Sequence, residues 1–165
     1  MPSKISVANL VMLAGAAVTV LFSFFDFFDR GGNAWDTDFL AFATTVPAIL
    51  ALVMGVWVVL ELVGVSLPED VLTFTPAQLK TTWGIAAAGI MLSWITTDAD
   101  KGIGYWLMLL GSIAMAVGAV MALLGKGTET LDIPGVGGNA KTGDSTTSAT
   151  TSATTPPPPP PPPAD

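Results

Sequence analysis

Residues 39–60 read FLAFATTVPAILALVMGVWVVL, an unbroken uncharged run between Asp38 and Glu61. The hydrocarbon core of a bilayer, about 30 Å thick, takes roughly 20 such residues as a helix, which satisfies every backbone polar group internally. The run therefore reads as a transmembrane helix, kinked at Pro47, where the ladder loses an N–H. Three further segments meet or approach the same length. The first, residues 5–25, follows Lys4 and ends before Asp26; the fourth, residues 103–124, is closed by Lys126. The third has an apolar core, residues 83–95, that is too short to span by itself. Thr75-Pro76 supplies a cap residue followed by proline at the first turn, and from residue 76, with Lys80 snorkelling to the interface, it reaches spanning length.

The expected fold class is thus all-α. Residues 1–126 form an integral membrane four-helix bundle, with helices near 5–25, 39–60, 76–95 and 103–124. Composition agrees: 51% of residues are hydrophobic and only 12% charged, against about 25% charged in a soluble domain. Lys4 and the small residues Ala14-Gly15-Ala16 imitate a cleavable signal, but the apolar run continues to Phe25, which favours an uncleaved helix. Lys4, Lys80 and Lys126 fall on one side, and Arg30 and Lys101 on the other. The positive-inside rule then places both termini in the cytoplasm of a multi-pass protein of the cell membrane.

After Gly127 the chain changes character, with a Ser/Thr/Ala run over residues 145–155 and eight prolines, Pro156–Pro163. With hardly any large apolar residue after Ile133, residues 127–165 are expected to be disordered except for polyproline II at the end. Eight prolines make a rod of roughly 25 Å. On the cytoplasmic side, Pro156, Pro159, Pro160 and Pro163 would dock in a partner's aromatic-lined groove; on the outside, the same composition reads as an O-glycosylated stalk.

The chain has no His and no Cys, which removes imidazole bases, thiol nucleophiles, disulfides and the usual zinc sites. No activating base or strand-to-helix elbow accompanies the hydroxyls, so no enzyme activity and no cofactor are expected. A net charge of −7 offers nothing to a nucleic acid backbone. Glu61 stands at a helix end within reach of water, and no span carries an ionisable group at mid-depth, which argues against ion-coupled transport.

Small residues recur at four-residue spacing: Gly84 with Ala88, Gly89 with Ser93, and Ala114 with Gly118 and Ala122. Such stripes let helix backbones approach closely, inside the bundle or in a homo-oligomer. The first outer loop gathers aromatics and carboxylates, with Asp29, Asn33, Trp35, Asp36 and Asp38 as its candidate functional residues. Its phenylalanines and Trp35 read as an interfacial aromatic belt. In the second outer loop, Asp98-Ala99-Asp100 begins like a calcium loop but has Leu109 where a bidentate Glu is required, so no metal site is expected.

Asn33-Ala34-Trp35-Asp36, then Gly64, Val65, Leu67 and Pro68, then Phe74-Thr75, and finally Gly102-Ile103-Gly104-Tyr105-Trp106-Leu107 carry a family resemblance. Residues 5–124 resemble a group of largely uncharacterised actinobacterial four-helix membrane proteins, similar in layout to mycobacterial antigens with proline-rich tails. The resemblance implies a cytoplasmic-membrane location and a role beside cell-envelope or division machinery, and it carries over no catalytic residue. The expected function is a non-enzymatic membrane scaffold or accessory protein whose tail recruits a cytoplasmic partner, alone or within a homo-oligomer or larger envelope complex. The alternatives are a small holin-like pore-former and a cation-binding sensor or transport accessory.

Overall fold

The computed structural model of the chain describes residues 4–36, 41–68 and 71–132. Within them, β1 (Lys4–Ser6), α1 (Val7–Phe22), α2 (Ala41–Val63), α3 (Pro76–Ser93), a single 3-10 turn (Trp94–Thr96), α4 (Ile103–Leu123) and β2 (Thr130–Asp132) follow in order. The fold is mainly helical. Two helices, Phe42–Val63 and Ile103–Leu123, are long and apolar enough to cross a membrane, whereas Val7–Phe22 is apolar but shorter.

The helix ends follow local chemistry. Thr75 opens α3 with a full capping box, its hydroxyl accepting from Gln78 N while Gln78 Oε1 accepts from Thr75 N. α1 starts two residues later than the apolar run because Ile5 and Ser6 are already in a strand, and the Ser6 side chain caps the helix by accepting from Asn9 N. At the other end of the span the helix stops at Phe22, and Phe24 and Phe25 lie in the loop that follows. With 16 residues, α1 is about 24 Å long.

Successive helices run antiparallel and pack in the cyclic order α1–α2–α3–α4, with α4 returning against α1. The interior is built from small and flexible side chains. Met12, Ala16, Ala51, Met54, Ala87, Met115 and Ala119 fill one half, and Phe27, Ala34, Met91, Tyr105 and Met108 fill the other. Large apolar side chains point outward instead: Phe42, Leu52 and Val56 on α2, and Ile103, Leu110 and Val117 on α4. Only 28% of the apolar stretch of α2 and 39% of that of α4 are buried.

The α1–α4 seam is the tightest. A Cβ on Gly111 would lie 2.6 Å from Thr19 Oγ1 and 2.8 Å from the Gly15 oxygen, and one on Gly118 would lie 2.8 Å from Met12 N and 2.9 Å from the Ala8 oxygen. Ala8, Met12, Gly15 and Thr19 face Gly118, Met115 and Gly111 in antiparallel order at alternating three- and four-residue steps, the repeat that keeps one continuous face of each helix on its partner.

Two expectations are corrected here. The fold is not wholly α, because β1 and β2 pair antiparallel with Ile5 opposite Leu131. The segment after residue 127 is accordingly ordered at its start: Val7 N donates to the Glu129 oxygen and Ala8 N to the Gly127 oxygen. Free N–H groups in the first turn of a helix need acceptors, and the returning chain supplies two. Gly125 and Gly127, at φ 65° and 70°, make the reversal possible.

Candidate functional site

The end of the bundle away from β1 is closed by the α1–α2 loop and the α3–α4 loop, which are joined through their backbones. Phe28 and Lys101 form an antiparallel bridge, Asp29 N donates to the Asp100 oxygen at 3.1 Å, and Gly102 N donates to the Phe27 oxygen at 2.9 Å. Gly104 N donates to the Asp26 oxygen at 3.0 Å, where a Cβ would sit 2.8 Å from that same oxygen. Only glycine permits this approach.

The first loop is stiffened from within. Gly31 and Gly32, at φ 92° and 95°, turn the chain so that Phe27 N donates to the Gly32 oxygen. Asn33 Oδ1 accepts from Trp35 N, a local turn that asparagine favours. Trp35 Nε1 donates to Ser23 Oγ, and the oxygen of buried Ala34 accepts from the hydroxyls of Thr44 and Thr45. Phe27 is fully buried against Trp94 and Tyr105, and Tyr105 donates its hydroxyl proton to the Met91 oxygen. Of the phenylalanines read as an aromatic belt, Phe24 and Phe25 are exposed, whereas Phe27 is core and belongs to no such belt.

Between the two loops lies a cavity of about 450 Å³ lined by Phe28, Arg30, Gly31, Trp94, Asp98, Ala99 and Asp100. Phe28 and Trp94 meet edge to face, with ring centres 5.8 Å apart. Arg30, Asp98 and Asp100 all contribute to this lining, and among the described residues none of the three is in an ion pair, the pair of Lys80 and Glu61 being elsewhere. Lys101 spends its ammonium on the Thr97 and Ala99 oxygens at 2.8 and 3.0 Å and lies 5.9 Å from the centre of the Tyr105 ring. A second cleft, of about 320 Å³, opens between α1 and α2 over Ala16, Ala51 and Gly55 and is lined wholly by apolar residues.

The ion pair sits at the opposite end of the bundle. Lys80 Nζ is 3.0 Å from both Glu61 oxygens, and Trp57 Nε1 donates to Glu61 Oε1 at 2.9 Å. Trp57 in turn packs edge to face on Trp83, so α2 and α3 are clasped by charge and by rings together. Lys80 is only 6% exposed. It is committed to Glu61 and does not snorkel, while Glu61, engaged in the same pair, keeps its side chain 26% exposed at the helix end.

The small residues picked out by four-residue spacing divide. Gly84 packs on the Ala116 backbone and Ala88 is buried, whereas Gly89 has nothing within 4 Å of a notional Cβ and Ser93 is exposed, bonding back to the Ile90 oxygen. Gly118 is in the α1 seam, with Ala114 and Ala122 half-buried beside it. Asp29 and Asp36 are exposed, Asn33 and Trp35 brace the loop, and Asp38, Pro156, Pro159, Pro160 and Pro163 lie outside the described residues. Arg30 is more than 60 positions from Trp94, Asp98 and Asp100 in the sequence and meets them only through the loop junction, so sequence reading does not group the four. Among the described residues no group of three or more acids is placed to hold a metal ion.

No family model matches the chain, and no solved structure matches it. A 58-residue segment is 36% identical to part of a 3-phosphoshikimate 1-carboxyvinyltransferase from Acaryochloris marina, covering 35% of this chain and 13% of the transferase. A likeness confined to 13% of that protein brings no activity with it.

Proposed function

We propose that the chain is a non-enzymatic integral membrane protein of the cell envelope, crossing the membrane four times with both termini in the cytoplasm. It serves as a scaffold or accessory subunit whose proline-rich tail recruits a cytoplasmic partner. The observation that carries this reading is the inverted distribution of side-chain size. Ala, Gly and Met fill the interior, while Phe42, Leu52, Ile103, Leu110 and Val117 point outward. A water-soluble core helix would be mostly covered, and contiguous apolar faces of this kind need an apolar surrounding. Pairing of β1 with β2 supports termini that share one side, since it joins residues 4–6 to residues 130–132 at one end of the bundle.

The first test is extraction of membranes with alkaline carbonate, combined with compartment-specific reporters fused after Asp165 and within the 23–36 loop. Retention in the pellet with a cytoplasmic tail and an external loop is expected; release into the supernatant overturns the membrane reading. Removing residues 134–165, which spares β2, should leave insertion intact and abolish a crosslinked partner. Unchanged crosslinking would remove the scaffold role, and rapid loss of membrane potential on expression of the full chain would replace it with pore formation.

A further inference from the structure

We propose that the cavity between the two loops binds a net-neutral zwitterion, an ammonium group and an anionic oxyacid group carried on one short linker. Four observations converge on this chemistry. First, Arg30 and the pair Asp98 and Asp100 line one cavity of about 450 Å³ without forming an ion pair with each other, so residues of both signs border the same space. A single ion would satisfy one side and be repelled by the other, whereas a zwitterion presents the complement of both. Second, the walls between these charges are the rings of Phe28 and Trp94, held edge to face at 5.8 Å, and aromatic surface next to carboxylates is the environment that recognises ammonium groups.

Third, the charges of the lining sum to −1, and adding Lys101 and Asp29 from the adjoining loop junction leaves that sum at −1, so the two signs stay within one unit of balance. Fourth, the frame is already built: the Phe28–Lys101 bridge and the bond from Asp29 N to the Asp100 oxygen hold the Arg30 side and the Asp98–Asp100 side at a fixed separation. Binding therefore need not pay to order the two loops.

Two sources supply this chemistry, a phospholipid headgroup and a free amino-acid-like solute. The cavity is built from the loops that follow α1 and precede α4, so in a membrane it would stand at headgroup depth; only this lipid source rests on the membrane reading.

The test uses the full chain in an uncharged maltoside detergent, titrated with glycerophosphoethanolamine and followed by tryptophan fluorescence and calorimetry. Saturable single-site binding is expected, with ethanolamine alone and glycerol phosphate alone each weaker by about tenfold or more, since each loses a set of charge-assisted bonds. Arg30→Gln and Asp98→Asn should each weaken the zwitterion by a similar factor, while Asp29→Asn, outside the lining, should not. Both target side chains are exposed and make no hydrogen bond among the described residues, so helix content measured by circular dichroism should match that of the unaltered chain. No saturable binding, ethanolamine binding as tightly as the zwitterion, or indifference to Arg30→Gln and Asp98→Asn would overturn the assignment. Repeating the titration in nanodiscs separates the sources. Suppression by phosphatidylethanolamine but not by phosphatidylglycerol identifies a lipid headgroup, and equal binding in both identifies a free solute. Carbonate extraction reads the membrane location independently of any of these results.

Discussion

Replacing Gly111 by alanine tests the α1–α4 seam, and the same replacement at Gly89 is its internal control. At Gly111 the new methyl would stand 2.6 Å from Thr19 Oγ1, 2.8 Å from the Gly15 oxygen and 2.9 Å from Thr19 N, against 3.4 Å or more for ordinary contact. Two of those atoms are backbone, and the third is the hydroxyl that donates to the Gly15 oxygen at 2.9 Å. No rotamer change relieves the clash, so the two helices must separate by more than half an ångström, as judged from these distances. Overpacking of this kind costs about 1–3 kcal/mol. Alanine also gains up to about 1 kcal/mol over glycine in a helix, but that term is common to both sites. At Gly89, where nothing lies within 4 Å, it acts alone. The two variants should therefore differ by about 1–3 kcal/mol, Gly111→Ala being the less stable. Unfolding in mixed maltoside and dodecyl sulfate, followed by tryptophan fluorescence, reads the difference directly. Equal midpoints for the two variants, or a larger loss at Gly89, would refute the packing assigned to this seam.

Lys80→Met should destabilise the fold by about 3 kcal/mol in the same titration, because it strands the Glu61 carboxylate; adding Glu61→Leu should recover most of that loss, whereas an additive loss would mean the two residues act separately. Leu131→Pro removes an N–H from the two-stranded sheet, and the Val7 and Ala8 amides should then exchange with deuterium markedly faster while the α3 amides are unaffected; unchanged exchange at both would show that the returning chain does not cap α1.

Two of the four helices were legible because charges bracket them: Asp38 and Glu61 for α2, and Lys101 and Lys126 for α4. Thr75-Pro76 marked the start of α3 as well, and the structure adds Gln78 as the returning half of the capping box. The start of α1 was missed because apolar Ile5 continues the hydropathy of the helix while its backbone pairs with Leu131. A three-residue strand leaves no periodic trace, and its partner is more than 120 positions away in the sequence. The seam with α1 was readable but was sought at the wrong period. Gly111 and Gly118 stand seven residues apart, the spacing that stays on one face when helices cross at a shallow angle, with Gly104 a further seven back against the loop that follows α1, and Gly89-x-x-x-Ser93 points outward instead.

The cavity illustrates a different limit. Each loop read separately looked like an acidic turn with aromatics, and neither contains a complete set of groups for any ligand. The recognisable combination of Arg30, Trp94, Asp98 and Asp100 exists only because Gly102 and Gly104 let the second loop press against the Asp26 and Phe27 carbonyls, which fixes the register of Phe28 against Lys101. Those glycines open α4, where sequence reading assigned them to a family resemblance and not to packing. The chemistry of the site is thus set by backbone proximity at two positions without side chains. Side-chain inventories pass over such positions, and a β-carbon added to either one would separate the loops and dismantle the cavity while leaving every lining residue in the sequence.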